Sequence, residues 1–188
     1  MPAVIGSVWL LLLADGDPYR ITAFAIYGTT LVLLFTASAI HHGLSHRGNT
    51  RMWQRLDHLS IYLLIAGSYT PLTLVVLRGG WGWSLFSIIW GLAAAGIALD
   101  LWHKDPRRRL QLLLYLAMGW LVLVALQPLS AAMSAGNMAW LVVGGLCYTG
   151  GVGFFVLDER WPPAHNIWHL FVIAGAICHY IAILGSVA

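Results

Sequence analysis

The sequence has little charge and almost no lysine. Only 9% of its 188 residues are charged, against about 25% in a soluble globular domain. The single lysine, Lys104, lies between two apolar runs, so no span carries the Schiff-base lysine that a retinal photoreceptor needs. The apolar runs also have almost no acidic residues away from their ends, which argues against proton pumping through a carboxylate relay. A soluble domain and these two classes of membrane protein are therefore excluded.

Cysteine is scarce too, because the chain has only Cys147 and Cys178. Both lie inside apolar runs rather than in loops, which is typical of small apolar side chains and predicts no disulfide framework. The formal net charge of +3 is informative about membrane orientation and gives no reason to expect a nucleic-acid partner. Membrane lipids are the expected partners, and the oligomeric state does not follow from the sequence.

Long apolar runs make up most of the chain. They predict helical spans, since a helix satisfies its own backbone hydrogen bonds in hydrocarbon and these runs are too uniformly apolar for barrel strands. The predicted spans cover residues 3–14, 21–42, 57–77, 82–101, 110–127, 138–157 and 165–186. We therefore predict an all-α polytopic membrane protein, a seven-transmembrane helix bundle that forms a single domain over residues 1–188. Six spans are the alternative, because the first run is short.

The N-terminal run lacks a basic n-region and a cleavage-like site, so we expect a short first span there rather than a signal peptide. Glycines cluster in the sixth run, where small residues let helices approach closely. They are Gly144, Gly145, Gly150, Gly151 and Gly153.

Basic residues predict the orientation, because Lys and Arg near span ends are retained in the cytoplasm. Eight of the ten lie on one side, namely Arg47, Arg51, Arg55, Lys104, Arg107, Arg108, Arg109 and Arg160. Only Arg20 and Arg78 lie on the other side. We therefore expect a cytoplasmic N-terminus and a resident multi-pass protein of a bacterial inner membrane.

Polar side chains gather at the predicted cytoplasmic ends of three spans. Ser38 and His42 close the second span and share one helix face, about 6 Å apart along the axis. Asp57 opens the third span, and His165 and His169 open the seventh at the same i to i+4 spacing. Since ionisable groups in spans usually face the protein interior, we expect these side chains to converge.

This set has the chemistry of a catalytic zinc site. Such a site commonly takes three protein ligands plus a water molecule, and His42, His165 and His169 supply three imidazoles. Asp57 is positioned to accept a proton from the bound water, whose pKa the metal can lower to about 7. Ser38 is predicted to hydrogen-bond the water or Asp57, as outer partners in metal sites do.

The other titratable residues have simpler interpretations. His41 is about 100° around the helix from His42, so we expect it to face elsewhere. His46 and His103 lie in basic loops, and His58 is expected to orient Asp57 or to pack at the interface. His179 lies about 15 Å beyond His169 and is expected to hydrogen-bond between helices. Solvated or salt-bridged roles are expected for Asp100, Asp158 and Glu159.

Three motifs in order also resemble the hemolysin III family, which belongs with the progestin and adiponectin receptor-like membrane proteins. They are residues 38–42, residues 55–58 with 64–71, and residues 165–171 with Cys178 and His179. The resemblance implies a seven-helix bundle with the N-terminus inside and a zinc ion near the cytoplasmic face. It also implies His42, His165 and His169 as ligands, with Asp57 and Ser38 around the bound water.

Three functions remain open at this point. The first is a zinc-dependent hydrolase of a lipid amide, similar to ceramidases, which would act in membrane lipid homeostasis. The second is a non-enzymatic receptor or regulator of membrane composition in which zinc holds the helices together. The third is a pore-forming cytolysin, against which the spans show no continuous polar stripe.

Overall fold

The computed structural model describes residues 2–44, 51–102, 109–158 and 160–187, and this part of the chain is almost entirely helical, without a strand. The α-helices are α1 (Pro2–Leu12), α2 (Pro18–Leu44), α3 (Arg51–Pro71), α4 (Gly80–Trp102), α5 (Arg109–Trp120), α6 (Leu126–Ala132), α7 (Ala135–Leu157) and α8 (Pro163–Val187). A π-helical segment, Leu72–Val76, continues α3, and a 3₁₀ segment, Leu121–Ala125, joins α5 to α6. The all-α prediction is confirmed.

Six helical segments within the described ranges are long and apolar enough to cross a membrane. They are Pro18–Leu44, Arg51–Val76, Gly80–Trp102, Leu110–Ala132, Ala135–Leu157 and Pro163–Ser186. The first predicted span corresponds to α1, which has only 11 residues. The chain is therefore an integral multi-pass membrane protein with six long apolar helices and a short N-terminal one.

The predicted orientation stays a prediction. Four of the basic residues on which it depends lie outside the described ranges, namely Arg47, Lys104, Arg107 and Arg108. The expectations for His46, His103 and Glu159 concern residues that also lie outside these ranges.

The chain divides into two compact units, Met1–Met118 and Gly119–Ala188. The single domain over residues 1–188 stays a prediction. In the first unit α1 packs on α2, α2 on α3, and α3 on α4. The α2 and α3 backbones approach closely where Gly67 meets the side chain of Thr30. Gly96 of α4 lies directly against the ring of Tyr62, which is fully buried.

A proline sets the point at which α3 changes its hydrogen-bond pattern. Pro71 has no backbone N–H to donate to the preceding turn, so the regular helix ladder is interrupted there. The chain continues as one π-helical turn, in which the N–H of Leu77 donates to the carbonyl of Leu72 at 2.9 Å. The buried hydroxyls of Thr70 and Thr73 donate to the carbonyls of Ala66 and Thr70. The span therefore continues to Val76 despite the proline.

An ion pair fixes the end of α2 that is remote from His42. Asp17 caps this helix, because its Oδ1 accepts the backbone N–H of Tyr19 at 2.8 Å while Pro18 takes the first helical position. Arg78, between the π-helical segment and α4, donates to the same carboxylate, and its guanidinium lies 5.0 Å from the centre of the Tyr19 ring. The hydrogen bond from Arg78 lowers the pKa of Asp17.

In the second unit α7 packs along α8 through glycine. A side chain at Gly144 would overlap the ring of His179, and one at Gly151 would press on Phe171 and Trp168. The role predicted for the glycine cluster is confirmed at these two positions. A Cβ atom added at Gly145 would lie 3.8 Å from the ring of Trp120, which is ordinary van der Waals contact, so not every glycine is needed for close approach.

Candidate metal centre

The first part of the candidate site lies where the last turns of α2 meet α3. One ring nitrogen each of His41 and His42 and one carboxylate oxygen of Asp57 all lie within 4.8 Å of one another. The two imidazole rings are adjacent, with centroids 4.9 Å apart. The structure therefore brings His42 and Asp57 together, as the sequence predicts, and adds His41 to them.

The prediction that Asp57 opens the third span is wrong. The helix begins at Arg51, so Asp57 lies nearly two turns inside it and is only 9% exposed. The apolar run begins six residues after the helix does, because the first turns of α3 carry Arg51, Gln54 and Arg55. These side chains suit the membrane interface but not the hydrocarbon. The side chain of Asp57 is therefore in the buried part of α3, and its backbone carbonyl accepts the hydroxyl of Ser60 at 2.6 Å.

The expectation that His41 faces elsewhere is also wrong. Successive residues of a helix project about 100° apart, but an imidazole is long enough to turn toward a neighbouring helix from either position. Nδ1 of His41 is buried and has no hydrogen-bond partner among the described protein atoms. A sequence signal was available in the adjacent pair His41 and His42, although only the packing of α3 against α2 shows that both reach Asp57.

Polar contacts from α5 support the segment around Asp57. The hydroxyl of Tyr115 donates to the carbonyl of His58 at 2.7 Å, and the Tyr115 ring lies against Tyr62, with centroids 4.6 Å apart. Nε2 of Gln111 donates to Oδ2 of Asp100 at 2.5 Å and ties α5 to α4. The sequence reasoning did not single out Tyr115 or Gln111, although a glutamine in an apolar run was a visible signal.

The second part of the candidate site is the first turns of α8. His165 and His169 lie one turn apart on the same face, with Nε2 of one 3.1 Å from Nε2 of the other and ring centroids 4.7 Å apart. Pro163 occupies the first helical position, where its fixed φ is favourable and its missing N–H costs nothing. Because the helix starts here, both histidines are held at its beginning.

Asp158 orients this pair. Nδ1 of His165 donates to Oδ2 of Asp158 at 2.8 Å, which leaves the lone pair of Nε2 directed toward His169. A carboxylate that accepts the second ring N–H is the usual outer partner of a metal-binding histidine. The predicted salt-bridged role of Asp158 is therefore refined, since its partner is a candidate ligand.

The spacing of the two ring nitrogens suits chelation. With metal–nitrogen bonds of about 2.0–2.1 Å and a tetrahedral angle, two ligand nitrogens lie about 3.3 Å apart. The observed 3.1 Å between the Nε2 atoms of His165 and His169 is close to this separation. The imidazole and carboxylate donors in each unit match what divalent first-row transition metals accept. The described residues thus include histidine and aspartate groups that could hold a metal ion.

Two parts of the predicted site stay predictions. The first is coordination of one ion by His42, His165 and His169 together. The second is the role of Ser38, which lies half-buried one turn before His42 on α2.

The chain is similar to known proteins over most of its length. The family model for haemolysin-III related proteins matches residues 2–180. Hemolysin-3 of Bacillus cereus is 39% identical over 169 residues, which cover 90% of this chain and 77% of that protein. A Hemolysin-3 homolog of Bacillus subtilis (strain 168) is 35% identical over 179 residues, with 94% and 84% covered. The Monocyte to macrophage differentiation factor of Homo sapiens is 34% identical over 191 residues, with 97% and 77% covered.

Proposed function

The chain belongs to the haemolysin-III related family, and on that premise we propose that it is a zinc-dependent hydrolase of a lipid amide. The observation that carries the proposal is the pair His165 and His169 with Asp158 behind it, which is arranged as ligand, ligand and orienting carboxylate. The proposed ligands are His42, His165 and His169. The donor set fits zinc, which commonly takes neutral imidazoles in catalytic sites.

The proposed roles of the other residues follow from their chemistry. The chemistry that zinc would supply when bound by these histidines is polarisation of the amide carbonyl and a lowered pKa of a water molecule. Asp57, mostly buried beside His42, accepts the proton of the attacking water and passes it to the departing amine. Ser38 orients the water or Asp57 through its hydroxyl. The products are a fatty acid and an amine, so atoms and protons balance without a further reactant.

The membrane setting favours a lipid substrate. The candidate residues lie on helices that cross or border the hydrocarbon, and Leu170 next to His169 is 66% exposed. We propose a bacterial inner membrane as the location and membrane lipid homeostasis as the role. The six long apolar helices and the bacterial relatives support the proposed location, and the proposed role rests on the proposed reaction.

The direct test uses purified full-length protein in detergent or lipid nanodiscs with a panel of lipid amides, ceramides included. We expect release of fatty acid that stops after chelation and returns with added zinc. Zinc binding without turnover of any amide would favour a receptor or regulator with structural zinc. Release of haemoglobin from red cells without amide turnover would favour a cytolysin.

Asp158→Asn tests the orienting role of the carboxylate. The amide cannot carry the negative charge that strengthens the hydrogen bond from His165, so we expect zinc affinity to fall by about 10–100-fold while the helices remain intact. Competition titration with a zinc chelator measures the change. Asp15→Asn, in an exposed turn, is the matched control. Unchanged affinity in Asp158→Asn would contradict the orienting role of Asp158.

A further inference from the structure

We propose that His41, His42 and Asp57 form a coordination set of their own for a divalent first-row transition cation, built entirely from the first unit. The proposal deepens the proposed function and rests on it in one respect, since His42 and Asp57 serve both sites. It adds a cation position that does not need His165 or His169.

The donor geometry carries the inference. Two imidazole nitrogens and one carboxylate oxygen within 4.8 Å of one another need only small side-chain rotations to reach the roughly 3–4 Å separations of donors around a bound ion. Two histidines and one carboxylate on one side of the ion leave further positions open, as in facial sites for divalent iron and related metals. Nitrogen and oxygen donors without thiolate favour such a cation over a soft monovalent one.

Charge and burial favour a cation at the same place. Asp57 is 9% exposed, and a divalent ion beside it would compensate a negative charge that is costly to bury. His41 and His42 lie in the last turn of α2, where the partial negative charge of the helix C-terminus attracts cations. Nδ1 of His41 is buried and has no hydrogen-bond partner among the described protein atoms. A bound cation would satisfy this nitrogen if its lone pair faces the site.

The shared residues have a functional consequence. While His42 binds a cation together with His41 and Asp57, the single lone pair of its imidazole is not available to the proposed zinc site. We call His41, His42 and Asp57 the first-unit set. A cation bound to the first-unit set therefore gives a form of the protein that cannot carry out the proposed hydrolysis.

The test titrates Co²⁺ into the full-length double variant His165→Ala/His169→Ala and follows the visible absorption of the bound ion. We expect one Co²⁺ per chain, and a loss of affinity of about tenfold or more when His41→Ala is added. Leu56→Ala in the same background is the control, because Leu56 is adjacent to Asp57, is 41% exposed and has no metal-binding atom in its side chain. Its affinity should stay within about twofold of the double variant.

The outcomes separate this inference from the proposed zinc site. If the wild type binds one Co²⁺ and the double variant binds none, the first-unit set is overturned and the ligands His42, His165 and His169 stand. If both bind equally and both lose the ion with His41→Ala, the first-unit set stands and the proposed ligands fail. His41→Gln, which keeps a polar side chain, replaces His41→Ala if circular dichroism shows loss of helix, and unchanged affinity in it overturns the inference.

Discussion

Replacement of His169 by alanine is expected to lower the affinity of the purified protein for zinc by about a thousandfold. A three-histidine site with water has a binding free energy of order 10 kcal/mol, so one ligand contributes several kcal/mol, and about 4 kcal/mol corresponds to a factor of a thousand. His165→Ala should have a similar effect, since Nε2 of His165 lies 3.1 Å from Nε2 of His169. Elemental analysis after desalting, followed by chelator competition, measures the loss from about one zinc per chain.

The control for this prediction is His58→Ala. It removes an imidazole from α3 but keeps the backbone carbonyl of His58, which accepts the hydroxyl of Tyr115, so the helix packing through that hydrogen bond is kept. Zinc content should remain near the wild-type value. If His165→Ala and His169→Ala both retain zinc, the assignment of the site to α8 is untenable.

Asp57→Asn is expected to reduce turnover of a lipid amide by about 10²–10⁴-fold while zinc content and helical structure stay unchanged. The amide has almost the same volume as the carboxylate but cannot accept the proton of the attacking water, and loss of a general base has an effect of this size. Initial rates at saturating substrate give kcat, and zinc analysis of the same preparation shows whether the metal is retained.

Asp15→Asn is a suitable control, because it makes the same chemical change in an exposed turn whose positive φ of 48° suits asparagine as well. It should leave the rate unchanged. Loss of zinc together with activity in Asp57→Asn would contradict the role of general base and would identify Asp57 as a ligand. A full rate in Asp57→Asn would exclude it from proton transfer.

Much of the fold could be predicted from the sequence, since hydrocarbon imposes a simple requirement. Each long apolar run must be a helix that satisfies its own backbone, so the helices could be located from composition alone. The ends were less certain, because interfacial residues such as Arg51 and Arg55 belong to a helix without being apolar. The predicted start at residue 57 is therefore six residues later than the start of α3 at Arg51, and Asp57 lies inside the helix rather than in its first turn.

Some of the candidate metal-binding residues could also be predicted from the sequence, because hydrocarbon disfavours ionisable side chains. Buried ionisable residues are costly in a membrane, so His42, Asp57, His165 and His169 stand out against an apolar background. Tyr115 and Gln111 do not, because a tyrosine or glutamine near a span end has many ordinary roles. Their contribution is visible only in the hydrogen bonds that they make to α3 and α4.

The sequence by itself determined that polar side chains lie near the ends of the apolar runs, since charge is costly in hydrocarbon, and that His165 and His169 share one helix face through their i to i+4 spacing. The tertiary structure decided which neighbours those side chains have. It turned His41 toward Asp57 and placed Asp158 against His165. Neither contact follows from spacing, because the direction of a side chain depends on the helix or turn packed beside it.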